Sequence, residues 1–437
     1  MNSNAHYRIS QNLLERSIFP KYNPYKLRNQ DTPKENPIPL KTEYYHHITE
    51  FFLDTFYPKF CPECKIQLTK KITTRDYLIR CEECHYMTSR LSYTPLHHFK
   101  LPLWVFGYVL EESYLQSPKV LTATAIQKKT GISYKTALLL KRRIQLFASE
   151  QKDNVRDLVY SKLQKENEAS SASQNTARTH SEKRVIKNRG PKAKKAALEK
   201  NRITLTNADT LVLYSASQRA NKGRKRHKHG GSTASIYMSD KLGGKQVGTL
   251  VHTIATSNGA LILDSVPDQK MNTLGPIIRK NIPEKSPIHT DSGYPWLNSV
   301  YRNHKMVNHS AHSKDKRYRW ARNRWVTKEG VHIQYAEGNH RVIKQAFSSY
   351  GYIRPEYSQL YLNEFCFFRN LKVFGLDAIV QNWRERSSSK QTSELSAKVE
   401  ESKKQKILVK NGKSNCYRAL SVFQSHRSNP VGIVNNK

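Results

Sequence analysis

A chain of 437 residues is long enough for two or three domains, each with its own buried core. Its 74 Lys and Arg against 35 Asp and Glu leave a formal charge of +39. That excess calls for a polyanionic partner, nucleic acid foremost, although charge alone also suits a ribosomal or membrane-surface protein. No run of about eighteen apolar residues offers a membrane span, and the opening MNSNAHYRISQNLLERSIFPKYNPYK lacks the continuous apolar core of an export signal.

Residues 1–57 read as an Asn-, Lys- and Pro-rich arm followed by a helix from Thr42 to Tyr57, with Ile48, Phe51, Phe52, Phe56 and Tyr57 as its apolar stripe. Residues 58–98 hold two C-x-x-C knuckles, Cys61-Pro-Glu-Cys64 and Cys81-Glu-Glu-Cys84, separated by KIQLTKKITTRDYLIR. That intervening stretch alternates like a β-hairpin and would fold the second knuckle over the first. Four thiolates at tetrahedral corners suit Zn²⁺, and a closed four-thiolate site is structural and not catalytic. An iron-sulfur cluster or a redox dithiol is the competing use of the same pattern. His85, His97 and His98 read as surface histidines, Cys366 and Cys416 as ordinary thiols.

Within residues 99–150, VLTATAIQKKTGISYKTALLLKRRIQLF predicts a helix-turn-helix. Gly131 suits a positive-φ turn and Ser133 an N-cap. Ala137, Leu140 and Ile144 would face inward. Tyr134, Lys135 and Thr136 would present the exposed start of a recognition helix to base edges, and Lys141, Arg142 and Arg143 would take phosphates. An ordinary helical hairpin in a core has the same pattern. From 151 to 203 the periodicity dissolves into polar residues, which predicts a basic, disordered linker. Its KNRGPKAKK run includes Arg189-Gly190-Pro191, a fragment resembling a minor-groove hook but explained as well by a solvated basic linker.

Residues 204–375 begin with β-rich runs (DTLVLYS, KQVGTLVHTIAT, ALILDSV, SPIHTD) and end in helical patterns, which predicts an α/β domain with a mixed sheet. Residues 376–437 read as a basic tail. Asp291 stands at the C-terminal end of the strand SPIHT, where α/β sheets place chemistry. Glu337 lies in the helix GVHIQYAEGNHRVIKQAF, off its expected buried stripe of Ile333, Ala336, His340, Ile343 and Phe347, on a face with Arg341 and Lys344. An exposed Glu337–Arg341 ion pair is its plainer role. Asp209 opens the first strand. Three converging carboxylates repel one another unless they hold cations, and two Mg²⁺ ions on such oxygens can activate the attacking oxygen of a phosphodiester displacement and stabilise the leaving one.

In these segments the chain resembles the DDE transposases of bacterial insertion sequences, in the subgroup with a zinc ribbon before an RNase H-like domain. The likeness runs from about Phe60 to Phe374 and is most specific in HTDSGYPWLNSVYRNHKMVNHS, GVHIQYAEGNHRVIK and YSQLYLNEFCFFRN. It implies Asp291 as second and Glu337 as third catalytic acid, binding Mg²⁺ or Mn²⁺, with the Asn363-Glu364-Phe365 helix and Arg369-Asn370 closing over the site. For the first acid, Asp209 competes with Asp240 and Asp264, because Thr210 and a late Gly/Lys run, RANKGRKRHKHGG, depart from the family pattern; Asp209 is preferred for its place before the first strand pair. His304 and His309 join Arg341 and Lys344 as candidate phosphate contacts. The resemblance implies cleavage and strand transfer at the element's ends, double-stranded DNA as partner and target, a homo-oligomer on that DNA, and a cytoplasmic, nucleoid-associated setting. The alternative is a non-catalytic DNA-binding regulator derived from a decayed transposase.

Overall fold

The structure, a computed structural model, describes residues 37–175, 204–216, 235–238, 240 and 243–386, apart from a few single positions. The N-terminal arm, the KNRGPKAKK run, the basic run before Ser235, Cys416 and most of the expected tail lie outside the described residues. The chain divides into two units, 1–380 and 381–437. Of the second, residues 381–386 are described and are helical. The elements named below all belong to the first. Among the described residues no helix is long and apolar enough to cross a membrane.

Helix α1 (Pro37–Phe56) begins five residues earlier than its apolar stripe predicts. It buries Ile48, Phe52, Leu53 and Phe56, with Leu53 taking the place expected of Phe51. A three-stranded antiparallel sheet follows, β1 (Lys70–Ile72), β2 (Arg75–Arg80) and β3 (Met87–Ser89), in the order β1-β2-β3. Arg90 ties this module to α1 through Glu50 at 3.0 Å and Asp54 at 2.5 Å. Helix α2 (Leu103–Gln116) crosses α1 so closely that a Cβ on Gly107 would lie 2.0 Å from the Tyr45 carbonyl oxygen. Only glycine fits there.

Helix α3 (Ala123–Thr130) ends on Gly131 at φ 73°, the left-handed conformation glycine adopts without cost. Helix α4 (Tyr134–Glu150) then starts under a side-chain cap, Ser133 Oγ accepting from the Thr136 N–H at 3.2 Å. Ala137, Leu140 and Ile144 are buried. Phe147, further along α4, packs its ring 4.7 Å from Phe52 and 5.0 Å from Phe367.

The expected linker is corrected at its start: Lys152–Asn175 is a helix, α5. Val159 and Leu163 of α5 join the core of the following domain, and Arg156 reaches the buried Asp264 at 2.6 Å. A stripe of so few apolar residues (Val155, Val159, Leu163) reads as polar in composition, yet its spacing keeps all three on one face.

The larger sheet has five strands, β4 (Thr206–Leu213), β5 (Thr249–Thr256), β6 (Leu261–Val266), β7 (Ile288–Asp291) and β8 (His304–Val307). Their order is β6-β5-β4-β7-β8; β5 is antiparallel to both its neighbours, while β4, β7 and β8 are parallel. Helix α6 (Met271–Asn281) crosses from β6 to the parallel strands. Helices α7 (Gln334–Ser348) and α8 (Ser358–Phe374) complete the unit. Strand alternation divides the core in two. Ala208, Leu250, Ile254 and Ile262 pack with α5 and α6, whereas Leu211, Val251, Ala255 and Leu263 pack with α7 and α8. The sheet is thus covered on both faces, the mixed α/β arrangement expected.

Candidate active site and zinc centre

Cys61, Cys64, Cys81 and Cys84 come together with all four sulfur atoms within 4.8 Å of one another, Cys61 and Cys81 buried. Each knuckle is a closed turn, the Cys61 carbonyl accepting the Lys65 N–H at 3.1 Å and the Cys81 N–H donating to the Tyr86 carbonyl at 2.8 Å, and the antiparallel pair β1–β2 lies between them. Burial pushes the Cys61 thiol up, but the Cys64 backbone N–H and neighbouring thiols outweigh it and bring it down to about 7. Four sulfur donors gathered in this way fit one zinc ion.

Asp209 lies near the middle of β4, on the face covered by α7 and α8, and Asp291 ends β7. The parallel register pairs Ala208 with Thr290, so the two aspartates follow side by side. Glu337 sits in the first turn of α7. That helix is held over β4 by Asn207, whose Nδ2 donates to the His332 carbonyl and whose Oδ1 accepts the Tyr335 N–H, each at 3.1 Å. On β7, His289 Nδ1 lies 3.3 Å from the same carbonyl. The residue two places before each aspartate therefore grips the segment that carries the glutamate.

The Asp209 carboxyl is pushed up to about 7, first by burial and then by the charges of Asp291 and Glu337, with the Thr210 N–H and Lys344 acting against them. The three acids feel one another. They are more loosely gathered than the four cysteines, which are the sole cluster of possible metal-binding side chains with donor atoms within 4.8 Å among the described residues.

Of the competing acids, Asp264 lies on the opposite face of the sheet, where Arg156 at 2.6 Å and Lys152 at 3.1 Å engage it. Burial raises its carboxyl, but these cations outweigh that and hold it below the usual range. Asp240 is exposed.

Arg341 and Lys344 are exposed on α7. His309 Nε2 stands 4.0 Å from Glu337. His304 is instead buried between Thr290 Oγ1 at 2.8 Å and Asn298 at 2.7 Å, part of the packing beneath the site and not a phosphate contact. His340 is not a simple core residue: its Nε2 meets Thr253 Oγ1 at 3.0 Å, and its Nδ1 lies 3.7 Å from Asp209. The sequence carries that signal as the Glu337-x-x-His340 spacing, which places both on adjoining turns of one helix. Buried Tyr294, three residues after Asp291, is raised above the ordinary tyrosine range by burial and then by Asp209 and Asp291. It had no signal beyond its place in the strand-end loop.

At the start of α4, Tyr134 and Lys135 are exposed as expected, whereas Thr136 is half-buried. The basic cluster after it is corrected. Lys141 is 1% exposed and paired with Glu364 of α8. Arg142 lies over Tyr357 and Tyr361, with centroids at 5.0 and 5.6 Å, and donates to Gln145. Arg143 donates to the carbonyls of Pro95 and His97 at 2.6 and 2.8 Å. These cations join modules of the protein because α4 is packed on both sides. Helix α8 likewise does not close over the acids: Asn370 binds the Leu261 backbone of β6, and Glu364 faces α4.

Residues 205–370 match the family model of the ISXO2-like transposase domain. The match runs from the threshold of β4 to Asn370 in α8, takes in all three acids, and follows a zinc-ribbon-like cysteine cluster in the chain. No curated protein and no solved structure matches the chain.

Proposed function

We propose that the protein is a DNA transposase that cuts an insertion sequence at its ends and joins it to target DNA, with Asp209, Asp291 and Glu337 as the metal-holding acids. The observation that carries this reading is geometric: Asp209 and Asp291 stand side by side on the parallel strands β4 and β7, and Asn207 and His289 hold the segment that carries Glu337 beside them. A carboxylate cluster in a dry, like-charged setting is costly alone and becomes favourable around hard divalent cations, so the donor set fits Mg²⁺ or Mn²⁺. Such ions, when bound, stabilise the attacking and leaving oxygens of an in-line phosphoryl displacement.

The chain's own residues hold the geometry. Asn207 and His289 fix α7 over the strand ends, and His340 orients Asp209 across Thr253. Arg341 and Lys344 follow Glu337 along α7, one and two turns on, and receive the phosphates flanking the scissile bond. Water attacks at the element's end, and the freed 3′-hydroxyl then attacks the target. The strand order, with one antiparallel strand between β4 and β6, supports an RNase H-like assignment. Tyr134, Lys135 and Thr136 are the DNA contacts of a helix-turn-helix formed by α3 and α4, the cysteine centre holds structural zinc, and the active form is a homo-oligomer on double-stranded DNA in the cytoplasm.

The test is nicking of DNA spanning the ends of the element that encodes the protein. Strand cleavage that requires Mg²⁺ or Mn²⁺ and stops on chelation supports the enzyme. Tight DNA binding without cleavage in either metal supports the non-catalytic regulator.

A further inference from the structure

On the outer edge of the large sheet, β8 forms one wall of a cavity of about 450 Å³. That volume lies in the range of roughly 300–1,000 Å³ typical of small-molecule sites. The opposite wall is the segment between β8 and α7, which is pinned to the strand by a small core of Val307, Tyr318 and Ile333. Tyr318 donates to the Met306 carbonyl at 3.1 Å, and Asn323 to the Arg317 carbonyl at 2.8 Å, so this wall is built and not a loose excursion.

Two features of the lining point to a ligand. Lys305, Lys316 and Lys328 are exposed around the cavity, whose one lining acid is Glu329, while the neighbouring Arg317 is paired with Asp315 at 2.7 Å. Mutual repulsion among these cations is relieved by an anion. The second feature is Trp320, which lines the same cavity and is 63% exposed, with the Arg319 guanidinium 6.0 Å from its ring. A duplex backbone needs only the cations. An indole left in water beside them is the platform that an unstacked base uses, and a neighbouring guanidinium strengthens such a stack.

The cavity is also in reach of the chemistry. Val307 stands opposite Asp291 in the parallel register, and Lys305 is two residues earlier on the same strand. From strand rise and strand spacing, Lys305 is on the order of 8 Å from Asp291 along the backbone frame. That is roughly two nucleotide steps along one DNA strand.

We propose that this cavity binds an unpaired nucleotide of the DNA strand, its base stacked on Trp320 and its flanking phosphates held by Lys305, Lys316 and Lys328. The proposal deepens the transposase reading and rests on it for the nature of the polymer. A site of this kind holds a strand end frayed or flipped out of the duplex next to the acids.

The test uses the full chain without divalent metal, so cleavage plays no part. Fluorescence anisotropy compares a fully paired duplex with the same duplex carrying a short run of unpaired thymidines in one strand. Wild type should favour the unpaired probe. Trp320→Ala should weaken that probe about tenfold and leave the paired duplex within about twofold, whereas Trp320→Phe keeps most of the preference. Because Trp320 is exposed, a folded far-ultraviolet spectrum is expected for both variants. Equal weakening of both probes, or no weakening of either, would overturn the nucleotide site and leave the transposase reading standing. If wild type bound neither probe, the DNA reading would fall, and this site with it.

Discussion

Asn207 of β4 and Tyr335 in the first turn of α7 are joined by a hydrogen bond of 3.1 Å across 128 residues of sequence. Helix α7 has no side-chain cap from its own N-cap residue, Ile333, so a buried strand asparagine supplies the acceptor that one of its first N–H groups lacks. The same amide donates to the His332 carbonyl. Glu337 follows two residues after Tyr335, so its place beside the strand aspartates depends on a residue outside the three acids.

Replacing Asn207 by Leu should therefore strand the Tyr335 N–H and leave the His332 carbonyl with His289 alone, at a cost of about 1–3 kcal/mol in stability. Cleavage should fall much further than DNA affinity, because a displacement of about 1 Å at a reacting centre costs on the order of 10²-fold. Asn207→Asp keeps the acceptor and should recover part of the activity. Urea denaturation, nicking rate and duplex affinity measured on the same preparations check all three statements.

Lys141 and Glu364 form a buried ion pair that links α4 to α8. Removing one partner of such a pair commonly costs about 3–5 kcal/mol, because the other charge stays buried alone. Lys141→Met should be destabilised to that extent, and the double variant with Glu364→Leu less than the sum of the two single changes. The salt dependence of duplex binding should be unchanged in folded Lys141→Met, whereas a phosphate-binding lysine would reduce its slope by about one.

This pair also marks where sequence reading stops. In KTALLLKRRIQLF the periodicity places Ala137, Leu140 and Ile144 inside correctly, but whether Lys141 meets phosphate or protein is decided by α8, which lies 223 residues away. The cysteine knuckles are legible because both partners of each tight turn are local. The strand-end place of Asp291 is legible from the apolar run before it. Asp209 and Asp264 look alike in sequence, each in a short β-rich run, and only the pairing of β4, β5 and β6 assigns them to opposite faces. Helix α5 goes unread because most of its surface is polar and its buried stripe is completed by an ion pair, Arg156 with Asp264.

The cysteine centre predicts a dependence of folding on metal. Structural zinc contributes folding free energy directly, since the unfolded chain has no formed site. Chelation, or Cys81→Ser, should remove one equivalent of zinc by elemental analysis and open the β1–β3 hairpin to limited proteolysis. The large sheet, with its separate cores, should stay protected. Full zinc content in Cys81→Ser would reject the four-cysteine site.

Whether Asp209, Asp291 and Glu337 act together on metal is decided by metal-dependent nicking of element-end DNA with four variants side by side. Asp209→Asn, Asp291→Asn and Glu337→Gln should each lose cleavage by on the order of 10³-fold or more while binding DNA about as well as wild type. Asp264→Asn, which breaks the pair with Arg156, should lose stability and still cut while folded. Normal cutting by Asp209→Asn together with a dead but folded Asp264→Asn would contradict the account.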